Sequence, residues 1–255
     1  AIDPIITKIW VAAGTYYPTS GTDRNISFVM KNSLAIYGGF EGTENQFTFD
    51  LANRDFVSNE SILSGDIGAS GVETDNSYHV VFNNFTSGTP LTSSAVLDGF
   101  TVSGGFANAA PPHCFGGGMY NLYSSPTVAN CSFLSNRVVR SSATSSESSG
   151  GGMYNSSSSP VISNCHFTDN KALAVNSSGN SYGGGIYNSS GSQTITNCIF
   201  ENNTTTSDLQ NYSYGGGIYN SSNTIEITDC SFTGHKAVFG AGMYNQDANI
   251  SVSNC

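Results

Sequence analysis

Apolar residues in this chain recur in short alternating runs rather than at a helical period, and the runs are separated by Gly, Ser and Asn. Trp10-Val11-Ala12-Ala13-Gly14-Thr15-Tyr16, Leu34-Ala35-Ile36-Tyr37-Gly38-Gly39-Phe40, Ile62-Leu63-Ser64-Gly65-Asp66-Ile67, Tyr78-His79-Val80-Val81-Phe82 and Val96-Leu97-Asp98-Gly99-Phe100-Thr101-Val102 each read as strands. Segments 41–60, 68–77, 103–115, 137–149 and 204–214 read as loops leaving whatever those strands build. In Val161-Ile162-Ser163-Asn164-Cys165-His166-Phe167, the apolar Val161, Cys165 and Phe167 share one parity with Ser163. The Cys and Phe positions are expected to face inward.

From residue 116 the pattern becomes a repeat. GGGMYN occurs at 116–121 and 150–155, GGGIYN at 183–188 and 215–220, and GAGMYN at 240–245, with successive starts 34, 33, 32 and 25 residues apart. A cysteine follows the first glycine by 15 positions in every copy, at Cys131, Cys165, Cys198, Cys230 and Cys255. All length variation therefore falls between the cysteine block and the next glycine block, which separates a fixed unit from a tolerant loop. A unit of about 25 residues with two or three short strands cannot bury its inward face alone and must stack on its neighbours. Parallel stacking makes a β-solenoid; a propeller blade needs roughly 40 to 50 residues and four strands.

Stacking turns recurring positions into ladders. The five cysteines are expected as small buried thiols, since in-register neighbours point the same way and lack the geometry for a disulfide. Cys114 lies outside that ladder, free or paired. Phe133, Phe167, Phe200 and Phe232 form a second ladder, two residues beyond each cysteine. Asn136, Asn170 and Asn203 follow three residues later, placed to bond backbone at a turn or one another between rungs, with His235 as the polar substitute in the fourth copy. Phe100 and Val102 align on Cys131 and Phe133, so the solenoid begins before the obvious repeats. The expected organisation is one all-β domain over 1–255, a parallel β-solenoid with protruding loops. Its coils are irregular over 1–115 and regular over five repeats at 116–255, the last incomplete.

Charge narrows the partners. Only 10% of the 255 residues are Asp, Glu, Lys or Arg, and the formal net charge is −10, so helical bundles and phosphate-backbone binding are both excluded and no nucleic-acid partner is expected. No apolar run reaches the roughly 18 to 20 residues of a membrane span, and the opening AIDPIITKIWVAAG lacks the layout of a secretion signal.

The Gly-Gly-Gly-Met/Ile-Tyr-Asn blocks, with Phe-x-x-Asn at Phe133 to Asn136, Phe167 to Asn170 and Phe200 to Asn203, resemble the GGA[ILV]/FxxN repeats of polymorphic outer-membrane proteins and of bacterial right-handed parallel β-helix repeat proteins. IWVAAGTYYPT, LAIYGGFEGTE, ILSGDIG, DNSYHVV and VLDGFTVSGG are similar to the leading coils of the same secreted class. The departures are His235 for Asn and Ala241 for the second Gly. The resemblance implies a single-stranded right-handed parallel β-helix and a secreted or cell-surface location, and it is specific for fold rather than function.

Three functions are expected to compete. The first is an extracellular structural or adhesive rod. Because the chain stops inside a block that elsewhere continues, it is expected either to be a fragment or to self-associate through coil ends into a filament. The second is a polysaccharide lyase or hydrolase, needing paired carboxylates or Ca²⁺. The candidates are Asp66, Glu73, Asp75, His79 and Asp98 with Arg54, and Asp66, Glu73 and Asp75 are the weak Ca²⁺ set; no other cofactor is expected. Turn chemistry accounts for the acidic positions, so no catalytic residue is assigned. The third is a carbohydrate-binding module using Tyr120, Tyr154, Tyr187, Tyr219 and Tyr244, which alternation from Met119 turns outward, against surface or host glycans; the rival role for the same residues is to seal the solenoid. Asn25, Asn59, Asn84, Asn155, Asn188 and Asn220 head N-glycosylation triplets, and Ser/Thr-rich stretches at 141–151, 156–159, 176–182 and 204–207 offer O-linked sites.

Overall fold

The computed structural model describes residues 6–140, 147–175, 179–208 and 212–255. Each regular coil lays one strand on each of three faces. The first face stacks Val81–Asn84, Met119–Leu122, Met153–Ser156, Ile186–Ser189, Ile218–Ser221 and Met243–Gln246. The second stacks eight strands from Lys8–Ala12 to Asn249–Ser253, and the third seven from Gly14–Tyr16 to Ser231–Thr233. Every strand pair in these faces is parallel, and like residues lie opposite like, as in Met119↔Met153↔Ile186 and Phe133↔Phe167↔Phe200. Val102 pairs with Phe133 and Thr101 with Ser132, so the irregular N-terminal coils share the register of the repeats. The chain is an all-β parallel β-helix.

The corners account for the fixed spacing. A single left-handed residue closes the corner between the first and second faces (Tyr123, Ser157, Ser190, Ser222, Asp247) and another that between the second and third (Asn130, Asn164, Asn197, Asp229, Asn254). Corners this short, each turned at one left-handed residue, have no slack, so the cysteine stays in step with the glycine. They also correct the parity expected across 161–167. The left-handed Asn164 (φ 52°) resets the alternation, so Ile162 is fully buried while Val161 is 40% exposed. Cys165 and Phe167 then point inward on the new strand.

The triple glycine does two jobs. Its first member adopts φ between 58° and 69° in all five copies, where a side chain strains the backbone. At the second the coil crosses itself: a Cβ on Gly184 would lie 2.6 Å from the backbone N and O of Thr204. Ala241, the substitute in the last copy, is exposed.

The segments expected as loops leaving the stack are corrected at their bases. Phe106–Ala107, Arg137–Arg140, Lys171–Ala174 and Thr204–Ser207 form a four-stranded parallel sheet, and Ser148–Ser149, Ser181–Tyr182 and Ser213–Tyr214 a three-stranded one. Successive coils bring their exits into line at strand spacing, so backbone pairing follows although the side chains carry no regular apolar alternation. The loops thus become stacked arms.

The interior is a set of ladders. Phe133, Phe167, Phe200 and Phe232 stack at 4.7, 5.0 and 4.8 Å between ring centroids, with planes within 7°. All six cysteines are free thiols, buried except Cys255 at the last coil, and burial pushes the Cys165 thiol well above its ordinary range. Polar side chains are paired along the axis: the buried Asn83, Asn121, Asn155, Asn188 and Asn220 each hand one amide N–H to the next carbonyl at 2.8–2.9 Å, ending on the exposed Asn245. Asn136, Asn170 and Asn203 form a second such ladder, which also bonds backbone.

Candidate functional site

The repeated tyrosines lie on the outer side of the first face, where Met119, Met153 and Ile186 point in, but they present no free platform. Tyr120, Tyr154, Tyr187, Tyr219 and Tyr244 stack on one another at 5.2, 4.9, 5.3 and 5.8 Å with planes within 10°, so the ring faces between successive members are spent on each other. The arms cover them: Phe115 stacks on Tyr154, and Tyr182 and Tyr214 pack obliquely on Tyr219 and Tyr244. Tyr120 and Tyr219 are buried and the other three half-buried. Burial pushes the Tyr120 and Tyr154 hydroxyls up to about 12. The sugar-stacking role expected for this stripe is therefore withdrawn in favour of sealing the solenoid.

The acidic candidates are not brought together. Asp66 accepts from the Gly71 N–H, Asp75 from the Ala69 N–H at 2.9 Å, and Glu73 pairs with Arg137. Among the described residues no cluster of three or more His, Cys, Asp or Glu could hold a metal ion. The Ca²⁺ set is thus corrected to three turn and ion-pair roles. His79 is buried, donating from Nδ1 to the Gly116 carbonyl at 2.9 Å, so its Nε2 accepts from His113 Nδ1, also at 2.9 Å. Burial pushes its pKa down to about 3, and it stays neutral as a structural bridge. Cys114, also buried, has its thiol pushed up to about 11 by burial.

Arg54 and Asp98 do meet, at 3.0 Å, with side chains only 6% and 14% exposed. The Arg54 guanidinium also donates to the carbonyls of Leu51, Gly38 and Asp98 and lies near the rings of Tyr37 and Phe56. Those bonds staple the 41–60 segment against the corner between the second and third faces. The pair is a clamp, not an acid-base couple.

What the clamp creates is a groove of about 460 Å³ along that corner. One wall is Phe56, Val57 and Glu60; the other comes from three successive coils and carries Thr101, then Asn130 and Ser132, then Asn164 and His166. Glu60 accepts a 2.7 Å bond from the Thr101 hydroxyl. The corner amides run in series, Asn197 donating to Asn164, Asn164 to Asn130 and Asn130 to Asp98, at 2.7–3.1 Å. Sequence reasoning singled out neither Glu60 nor His166. A signal for His166 existed: it fills the outward position between Cys and Phe, where Ser132, Ile199 and Ser231 stand in the other copies.

The glycosylation triplets divide sharply. Asn155, Asn188 and Asn220 are fully buried rungs of the interior ladder, so their assignment as glycan acceptors is corrected. Asn25 and Asn84 are exposed and Asn59 is half-buried. Of the Ser/Thr stretches, residues 141–146 and 176–178 lie outside the described residues, Thr204–Ser207 is an arm strand, and Ser158 is buried at a corner.

Comparison with protein families gives a match over residues 66–255 to the family described as right-handed β-helix region. Neither the curated proteins nor the solved structures gave a match. No helix among the described residues is long and apolar enough to cross a membrane.

Proposed function

From a chain that belongs to the right-handed β-helix family, we propose a non-enzymatic extracellular protein, a rigid structural or adhesive segment displayed at the cell surface. The observation that carries this reading is the unbroken run of interior ladders. Phe rings, Asn amides and Cys thiols each continue rung on rung, so bending the stack would break several sets of contacts at once. Eight strands at about 4.8 Å spacing make the second face about 34 Å long. Separation of the candidate acids onto different partners supports a non-enzymatic role, because glycoside hydrolysis needs two carboxylates converging on one bond.

The same stack supports lengthening. Met243–Gln246 and Asn249–Ser253 each pair with one strand only, Ile218–Ser221 and Thr224–Thr228 respectively, and Val252 within Asn249–Ser253 is half exposed. A further coil, from the same polypeptide or from a second copy, docks there by parallel pairing, and repeated docking of copies makes a filament. Electron microscopy of the purified protein, with immunogold labelling of cells that make it, tests both parts. Surface-located rods or fibrils are expected. Compact irregular particles, or label confined to the cytoplasm, would overturn the reading.

A further inference from the structure

The corner groove has the chemistry of a ligand site, and its apolar wall is built to stay in place. Gly39 and Gly99 adopt φ of 88° and 85°, and a Cβ on either would lie 2.6 Å from the Phe56 ring. Glycine at both positions lets the ring rest on backbone, with 36% of the residue still exposed, and Val57 beside it is 90% exposed. With Arg54 fixing the loop behind them, these two side chains form a preorganised apolar lip. Val57, at that exposure, contributes little to holding the stack together.

Facing the lip are polar groups with bonding capacity to spare. The His166 ring nitrogens and the Ser132 hydroxyl have no partner among the described residues, and Glu60 spends one carboxylate oxygen on Thr101 while the other is free. Thr101, Ser132 and His166 sit opposite one another in register, so these groups are spaced along the stack over about 10 Å. No Lys or Arg lines the groove, and Arg54 is consumed by its carbonyls and Asp98, which disfavours uronates, phosphates and other anions.

We propose that this groove binds a short neutral oligosaccharide lying parallel to the stacking axis. The sugar's C–H faces pack on Phe56 and Val57, and its hydroxyls exchange hydrogen bonds with Glu60, Ser132, His166 and the corner amides. A single free carboxylate gives binding without hydrolysis, which requires two. The site stands independently of the rod reading, since a compact or a filamentous protein would equally carry it.

The test is calorimetric and NMR titration of the full chain with cellohexaose, xylohexaose, mannohexaose and maltohexaose, with an oligogalacturonate of the same length as the charged comparison. At least one neutral oligosaccharide is expected to bind with Kd below about 1 mM, and at least tenfold more tightly than the oligogalacturonate. Val57→Asp and Phe56→Ala should weaken it about tenfold and His166→Ala several-fold. Val57 and His166 are exposed, so their variants retain the fold, as circular dichroism will verify. Absence of binding by every neutral sugar, preference for the oligogalacturonate, or binding untouched by both Val57→Asp and His166→Ala would each overturn the proposal. So would a peptide ligand competing for the same resonances where no sugar does. None of these results would alter the particle shape seen by microscopy.

Discussion

Replacing Asn170 tests the claim that amide ladders hold the solenoid together. Its side chain uses all of its capacity while fully buried: Oδ1 accepts from the Asn136 backbone N–H at 3.0 Å and from Asn136 Nδ2 at 3.2 Å, while Nδ2 donates to the Phe133 carbonyl at 2.8 Å and to Asn203 Oδ1 at 3.0 Å. Asn203 Oδ1 keeps the Asn170 backbone N–H in any variant, and Asn136 Nδ2 keeps the Val102 carbonyl. Asn170→Ala therefore strands one buried group, the Asn136 N–H, and strips the side-chain donor from the Phe133 carbonyl, which stays in the parallel ladder opposite the next coil. At about 1–3 kcal/mol for the stranded N–H and about 1 kcal/mol for the lost bond, with a small cavity added, the expected loss is about 2–5 kcal/mol. Asn170→Asp keeps the acceptor but sets a second oxygen against the Phe133 carbonyl and Asn203 Oδ1. Burial must then raise the aspartate pKa above its unfolded value of about 3.9. A raised folded pKa contributes stability that is fully present below about pH 3.9 and lost as pH rises through the folded value, so this variant should be relatively more stable at pH 4 than at pH 7. Guanidinium denaturation at both pH values, with hydrogen exchange to localise the loss to neighbouring coils, measures it. A loss below about 1 kcal/mol for Asn170→Ala, or no pH dependence for Asn170→Asp, would refute the reasoning.

Other outcomes follow from the same geometry. His235 occupies the next rung and accepts from the Asn203 N–H at 3.1 Å, but its Nε2 is buried without a partner; His235→Asn should restore the ladder and raise stability by about 1 kcal/mol in the same denaturation assay. Tyr120 and Tyr154 titrate near 12 when folded against about 10 unfolded, so their contribution is complete below about pH 10 and lost as pH rises toward 12. Phenolate absorbance should therefore rise together with unfolding, and ordinary titration at pH 10 in an intact fold would contradict the covered ladder. Passed through a glycosylating secretory route, the folded protein should gain glycan mass only at exposed triplets such as Asn25 and Asn84, and peptide mapping that finds glycan on Asn155, Asn188 or Asn220 would contradict the interior placement. Gly184→Ala, forcing a methyl toward the Thr204 and Gly216 backbones, should cost several kcal/mol, read as a lowered Tm.

Much of the fold was legible because identical coils repeat the same physical demand. The constant step from Gly116 to Cys131, and from each later glycine to its cysteine, determined a stacked unit with Cys and Phe inside, and scarcity of charge determined which partners to exclude. Three things only the tertiary structure decided, each because it depends on what comes to lie alongside. Parity broke at Asn164, since one left-handed corner reverses which side of the strand faces in. Asn155, Asn188 and Asn220 read as surface glycan sites until neighbouring coils supplied amide partners that made burial affordable. The tyrosine stripe lost its platform to arms whose pairing has no signature in side-chain pattern, and Arg54 joined Asp98 across 44 residues to hold open a groove whose walls come from four separate segments. Local periodicity specifies a coil, but which surfaces remain for a ligand depends on how long loops fold back over the stack, and that is settled by contacts between residues distant in sequence.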